Sequence, residues 1–177
     1  MTIKSLSFEA ALQRKNELEA LMHDAVSHGA SIGYLHPMEP GEAAAYWTKI
    51  IGDLQGPTRV LLAAVDDDGR LVGSAQLALE SRPNGRHRAE VQKVLVLNTA
   101  RRRGIGASLM HAIEAEAARC GRTLLFLDTS VGSGGASEFY ANLGYTLTSG
   151  IPDYAMDPDG TLKSNAIFYK RLKPTSA

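Results

Sequence analysis

Cysteine is almost missing from this chain: Cys120 is the single thiol among 177 residues. One thiol cannot close an internal disulfide, and no Cys/His spacing typical of zinc occurs, so no metal site is expected. Following a helical run, Cys120 reads as a small buried residue. A surplus of charge is missing too, since 19 Lys and Arg offset 19 Asp and Glu for a formal net charge of zero. A protein that wraps a polyanion carries a basic excess, so nucleic acid is not an expected partner. Basic residues do cluster locally, which leaves a small anionic ligand open. No apolar run approaches membrane-spanning length. The leading "MTIKSLSFEAALQRKNELEA" carries charges throughout and no signal-peptide core. A cytoplasmic protein with no membrane partner is therefore expected. Linkers, repeats and low-complexity tracts are also lacking. With 44% hydrophobic residues, residues 1–177 are expected to form one domain with a substantial core.

Periodicity organises what is present. Ala11, Leu12, Leu18, Leu21, Met22 and Val26 recur near helical spacing and predict a helix from Phe8 to about Ser27. A loop holding Gly29, Gly33, Pro37 and Pro40 follows, then a helix from Gly41 to Ile51. "RVLLAAV" (Arg59 to Val65) and "LVGSAQLAL" (Leu71 to Leu79) predict strands on either side of the turn "DDDG". Asn-Gly in "PNG" (Pro83 to Gly85) predicts a hairpin into a third strand, "AEVQKVLVL" (Ala89 to Leu97). Ile105, Leu109, Ile113 and Ala117 mark the apolar face of a helix ending near Gly121. "TLLFLDT" (Thr123 to Thr129) has the continuous apolar run of a central strand. Strand, helix, strand implies a right-handed parallel crossover. A short helix from Ala136 to about Leu143, closed by Gly144, and a last strand "AIFYKRL" (Ala166 to Leu172) complete the chain. The predicted fold is α+β: a mixed sheet, antiparallel meander first and parallel crossover next, flanked by helices.

The stretch "NTARRRGIGASLM" (Asn98 to Met110) lies between a predicted strand and a predicted helix. The first N–H groups of a helix have no internal partner, and the dipole there favours negative charge. Arg101, Arg102 and Arg103 oppose that dipole, and an anion would relieve the conflict. Gly104-Ile105-Gly106 lets a phosphate approach the backbone closely. The stretch reads as a pyrophosphate seat on the N–H groups of Arg102 to Ala107. Its plain alternative is a solvated arginine run beside a tight turn. A dinucleotide-binding loop is disfavoured, because Leu109 stands where a third glycine is needed and the preceding strand belongs to a meander.

Arg101-x-x-Gly104-x-Gly106, preceded by "VLVL" and followed by an amphipathic helix, resembles the acyl-CoA motif of the GNAT superfamily of N-acyltransferases. "EFYANLGY" (Glu138 to Tyr145) resembles that family's second signature, and the order of elements matches over nearly the whole chain. The resemblance implies an N-acetyltransferase with acetyl-CoA as donor and the primary amine of a small molecule as acceptor. "GASIGY" (Gly29 to Tyr34), "RPNGRHRAEVQKVLVL" (Arg82 to Leu97) and "DPDGTLKSNAIFYKRL" (Asp157 to Leu172) are similar to a toxin-resistance branch of the family. The acceptor of that branch is the amine of an amino-acid-like β-lactam toxin. Three positions depart from the usual family pattern. Asn98 stands where Pro is frequent, Arg102 where Gly is, and Ser133 where an Asn contacts the pantetheine arm.

The resemblance also implies roles. Backbone groups of Val94, Leu95 and Val96 would line the pantetheine and thioester, with an N–H near Leu95 facing the developing oxyanion. Arg101, Arg102, Arg103, Gly104, Ile105, Gly106, Ala107 and Ser133 would hold the rest of the donor. Tyr140 would lie in the cleft and protonate the leaving thiolate, with Phe139 in the core. Glu90 and Asp128 are each a base or an ammonium anchor. Their plain readings are a surface pair with Arg88 or Lys93 and a loop cap. Tyr34, His36 and Tyr154 are acceptor-side candidates, although His36, beside a proline in a loop, also reads as an exposed bystander. His87 reads as solvated. A homodimer is compatible with all of this. A protein or peptide acceptor and a non-catalytic acyl-CoA-binding module are the alternatives, and Tyr140 with the two acids argues against the module.

Overall fold

The computed structural model describes residues 1–131 and 135–173. Among them, seven strands join in one sheet. Its order is β1 (Thr2–Ser5), β2 (Arg59–Val65), β3 (Leu71–Leu79), β4 (Arg88–Val96), β5 (Leu124–Ser130), β9 (Asn165–Arg171) and β6 (Thr146–Ser149). β7 (Ala155–Met156) and β8 (Leu162–Lys163) form a separate two-stranded ribbon. Every neighbouring pair in the large sheet is antiparallel except β4–β5. This is the predicted meander followed by a parallel crossover. Among the described residues no helix is long and apolar enough to cross a membrane.

Side chains alternate along a strand, and β2 uses both sides. Leu61, Ala63 and Val65 pack under α1 (Phe8–Gln13), α2 (Lys15–Ser27) and α3 (Glu42–Asp53), whose Leu18, Leu21, Met22 and Trp47 fill one core. Leu62 and Ala64 face α4 (Ile105–Arg119), where Leu109, Met110, Ile113 and Ala117 fill the other. α5 (Ala136–Asn142) packs against this second core through Phe139 and Tyr140.

Several expectations need correction. The helix predicted from Phe8 to Ser27 is two helices, broken at Arg14 (φ −101°, ψ 12°). Neither Gly nor Pro marks the break. Arg14 instead reaches Glu17 Oε1 (2.9 Å) and the Gly69 carbonyl (3.2 Å), while Glu17 Oε2 accepts from Leu71 N (2.7 Å). Tertiary hydrogen bonds to the β2–β3 turn therefore set the helix boundary. The "PNG" hairpin is a 3-10 turn, Pro83–Gly85. Cys120 caps α4 and is only partly buried. The short strands β1, β6, β7 and β8 have no counterpart in the predicted elements. β6 is exposed at all four residues, so it has no apolar alternation to read.

Lys170 on β9 ties the second core together. Its Nζ lies 2.8 Å from both carboxylate oxygens of Glu114 on α4 and donates to the Leu143 carbonyl at 2.8 Å, at the end of α5. Glu114 keeps only 16% of its side-chain exposure. Removing one partner strands the others. Lys170→Met is expected to destabilise the fold by about 1–3 kcal/mol, the cost of leaving buried acceptors unsatisfied. Adding Glu114→Gln should recover part of that loss in urea unfolding, whereas strict additivity would show that the two groups do not interact.

Candidate active site

The parallel ladder between β4 and β5 is short. It joins Arg88 to Leu124, Ala89 to Leu125 and Glu90 to Phe126, and stops there. β4 continues to Val96 along β3, and β5 continues to Ser130 along β9. The two strands part, and a cleft of about 1490 Å³ opens between them. The predicted residues Val94, Leu95 and Val96 lie on its β4 wall, and Asp128 lies on its β5 wall.

A bulge shapes the β4 wall. Gln92 pairs with Gln76 and Leu95 with Ser74, so Lys93 and Val94 together oppose Ala75. The extra residue turns the strand over. Val91 packs into the α4 core, whereas Leu95, four residues later, packs into the α1–α3 core. Lys93 holds the bulge at φ 48°.

The cofactor-side residues converge at the start of α4. Gly104 is its N-cap at φ 76°, in the left-handed region that glycine adopts freely. No side chain caps this end, and the first turn contains no acid. Its N–H groups are thus left for another acceptor. Arg101, Arg102, Gly104, Ile105, Gly106 and Ala107 line the cleft, whereas Arg103 is exposed and lies outside the lining. Arg101 Nε reaches back to the Val96 carbonyl at 3.3 Å. Arg102 adopts φ 61°, the conformation that the family's frequent glycine would take without strain. The Asn98 N–H donates to Asp24 Oδ2 at 2.7 Å, a bond that proline could not make. Ser133 lies outside the described residues.

Phe139 and Tyr140 both line the cleft, with ring centroids 5.1 Å apart. The expected division, Phe139 in the core and Tyr140 in the cleft, is therefore too sharp. Phe139 covers Gly106, where an added Cβ would lie 3.3 Å from the ring. Tyr140 also packs on Phe168 at 5.7 Å and Tyr145 at 6.0 Å. Burial pushes the Tyr140 phenol up to about 12, and the Asp128 charge adds to the shift.

The opposite half of the cleft is polar. Glu90 is partly buried and Asp128 is exposed within the cleft, and both lie on the α3 side of the sheet. Asn165, 3% exposed, donates to Asp128 Oδ2 at 3.4 Å and accepts from Ile151 N at 2.8 Å. Tyr34 lines this half, its ring 6.1 Å from that of Tyr46, and burial raises its pKa with help from the Glu42 charge. Tyr154 lines the rim, 53% exposed. His36 is exposed and outside the lining, and His87 is exposed. Among the described residues no group of three or more His, Cys, Asp or Glu is placed to hold a metal ion.

Sequence reasoning missed Tyr46, Arg59, Gln76 and Gln92 and gave Lys93 no role beyond a surface ion pair. Tyr46 Oη donates to Gln76 Oε1 at 3.2 Å, and burial pushes its pKa up to about 12. Arg59 Nη1 donates to Gln92 Oε1 at 2.7 Å. Polar residues at alternate positions of otherwise apolar strands, such as Gln76 in "LVGSAQLAL", were the available signal.

The match to known proteins agrees with this geometry. A model of the acetyltransferase (GNAT) family matches residues 32–145. The chain belongs to that family. Solved structures repeat the fold. A ribosomal-protein-alanine N-acetyltransferase from Brucella melitensis superposes with a TM-score of 0.79 at 19% identity, over 97% of this chain and 100% of that one. A Salmonella typhimurium protein classed as an acetyltransferase, solved with its cofactor acetyl-CoA, gives 0.80 at 18%, over 100% and 96%. An aminoglycoside 6'-N-acetyltransferase complexed with coenzyme A gives 0.74 at 20%, over all of both chains. This GNAT protein is an acetyl-CoA-dependent N-acetyltransferase.

Tyr140 can be titrated directly. Comparing ultraviolet pH titrations of the wild type and Tyr140→Phe, the missing step should fall near 12 rather than at the reference value of about 10. Because the folded value is the higher one, Tyr140 should not weaken folding below pH about 10, and stability should fall as pH rises from about 10 to about 12. A missing step near the reference value would place the ring in water.

Proposed function

We propose that this enzyme acetylates the primary amine of a compact, amino-acid-like small molecule, as a detoxifying N-acetyltransferase similar to the tabtoxin resistance protein. One observation carries the reading. A single cleft runs from the uncapped start of α4, past Tyr140, to the Glu90 and Asp128 carboxylates. The segment "GASIGY", one of three that resemble that protein, lines the acceptor half from Gly29 to Tyr34.

Residues 101–107 fit a diphosphate, with free N–H groups and nearby arginines. When bound, acetyl-CoA supplies the acetyl group as a thioester. A backbone N–H next to Leu95, on the edge that β5 leaves, such as that of Val94 or Val96, would donate to the acyl oxygen as charge develops there. One of Glu90 and Asp128 takes the proton from the acceptor nitrogen, and the other holds the ammonium before transfer. Asn165 holds Asp128 in place. Tyr140 keeps its proton at neutral pH and would be the donor to the departing sulfur.

A thiol-release screen with acetyl-CoA against amino acids, polyamines, aminoglycosides and peptides tests the reading. Turnover confined to peptides would sink it, and so would the absence of turnover with every amine. Tyr140→Phe should lower turnover by about 10²- to 10⁴-fold, the scale of general-acid help, with little change in melting temperature. Glu90→Gln and Asp128→Asn should both lower kcat/KM for the amine while acetyl-CoA affinity stays intact. The base should show its loss in kcat and the anchor in KM. Arg102→Gly separates strain from charge. Stability should rise by up to about 1–2 kcal/mol as the left-handed strain disappears. Acetyl-CoA affinity should fall by about two- to fivefold, the scale of one exposed charge contact. Unchanged affinity by calorimetry would take Arg102 out of the donor site.

A further inference from the structure

The α3 side of the cleft carries four charges close together: Glu90, Asp128, Arg59 and Lys93. Arg59 is already engaged. Its guanidinium reaches Gln92 at 2.7 Å and Gln76 at 3.5 Å, and Asp53 at 3.7 Å is its ion-pair partner. Lys93 is different. Among the described residues its ammonium has no carboxylate within ion-pair distance and no hydrogen-bond acceptor, and its one specific contact is the face of the Tyr46 ring, 5.5 Å away. The bulge presents this lysine in the left-handed backbone region at φ 48°, which a non-glycine residue rarely adopts. Strain kept at a cleft wall points to a function.

We propose that Lys93 is the anion anchor of the acceptor site: the acceptor is an amine that also carries a carboxylate, with its nitrogen at Glu90 and Asp128 and its carboxylate on Lys93 Nζ. The inference rests on the acetyltransferase reading of this cleft. A zwitterion matches the wall group by group. The two acids attract the ammonium end, and the one unpaired cation attracts the other. Burial and the Arg59 charge work against the Lys93 charge and the two carboxylates support it from a distance, so a carboxylate docked on Nζ supplies the contact ion pair that Lys93 does not make among the described residues. Lys93 also acts as a filter. A polycationic amine brings a second positive charge to an ammonium that the protein leaves unpaired, and is disfavoured by that repulsion.

The test pairs each standard L-amino acid with its carboxamide, which keeps the amine and removes the anion. With the full chain and acetyl-CoA, kcat/KM for the acid should exceed that for the amide by about ten- to a hundredfold, the range of a hydrogen bond to a charged group. Lys93→Met should erase the ratio without moving KM for acetyl-CoA. Lys93→Gly, which also relieves the backbone, should do the same if the methionine variant folds poorly. Lys93→Arg should restore part of the preference. Equal rates for acid and amide in the wild type would overturn the anchor, as would a preference that survives loss of the ammonium. Thiol release from no amine would defeat the acetyltransferase reading separately. Calorimetric titration of the same pairs into the coenzyme A complex then still decides on Lys93, since equal affinities would refute it.

Discussion

Three residue pairs hold β4 to β5, and the active cleft exists because there is no fourth. A parallel pair normally gains stability from each added rung, so strands that part early need other partners. β5 has one in β9, which pairs with it over its whole length, from Leu124–Arg171 to Ser130–Asn165. β4 has one in β3, which follows it as far as Gly73–Val96. With both strands held from outside, their inner edges can separate without leaving either strand unsupported. The Lys170–Glu114 contact braces β9 against α4. The Ser130–Ser31 hydroxyl contact at 2.6 Å fastens the tip of β5 to the loop after α2. The opening is therefore a fixed feature of the sheet.

The β4 bulge then divides labour across the opening. Before it, Glu90 and Gln92 face α3, and Val91 faces α4. After it, Leu95 enters the α1–α3 core and Val94 and Val96 turn toward α4. The extra residue lets one strand present polar groups at its near end and an apolar wall at its far end. The pairing with β3 resumes on the far side of the bulge. A regular strand with the same sequence would send Val91 and Leu95 to the same face. Either the α1–α3 core would lose Leu95 or the α4 core would lose Val91.

Most of the sheet was legible because its strands are long, apolar and bounded by turn residues. β2 and β3 fall on the predicted residues. The crossover to α4 was legible from the 3.6-residue spacing of Ile105, Leu109 and Ile113. The proposed donor side could be read for a local reason, since Gly104, Gly106 and the arginines fall within six residues and a helix start has a known electrostatic character. The acceptor side was not. Arg59, Gln76, Gln92 and Lys93 lie on three strands, and only their registers bring them together. Gln76 reads as an interruption in an apolar strand until its position opposite Gln92 is known. Periodicity could not find the bulge either, since nothing in "EVQKVLVL" marks Lys93 as a residue with positive φ.

That asymmetry has a physical origin in the reaction itself. The anionic end of acetyl-CoA can be met by backbone groups that any compatible sequence supplies. The acceptor must be recognised by side chains, because amines differ in what surrounds the nitrogen. Chains near 20% identity therefore share this fold with an aminoglycoside 6'-N-acetyltransferase and a ribosomal-protein-alanine N-acetyltransferase, two acceptors with little in common. On the proposed reading, the seat at residues 101–107 rests on backbone N–H groups and the acceptor half on side chains of the α3 side of the sheet. On that reading the acceptor is met by charge at a few positions on β2, β4 and β5, namely Arg59, Glu90, Lys93 and Asp128. Those strands are paired through their backbones, so a change of one cation or acid there leaves the ladder hydrogen bonds in place.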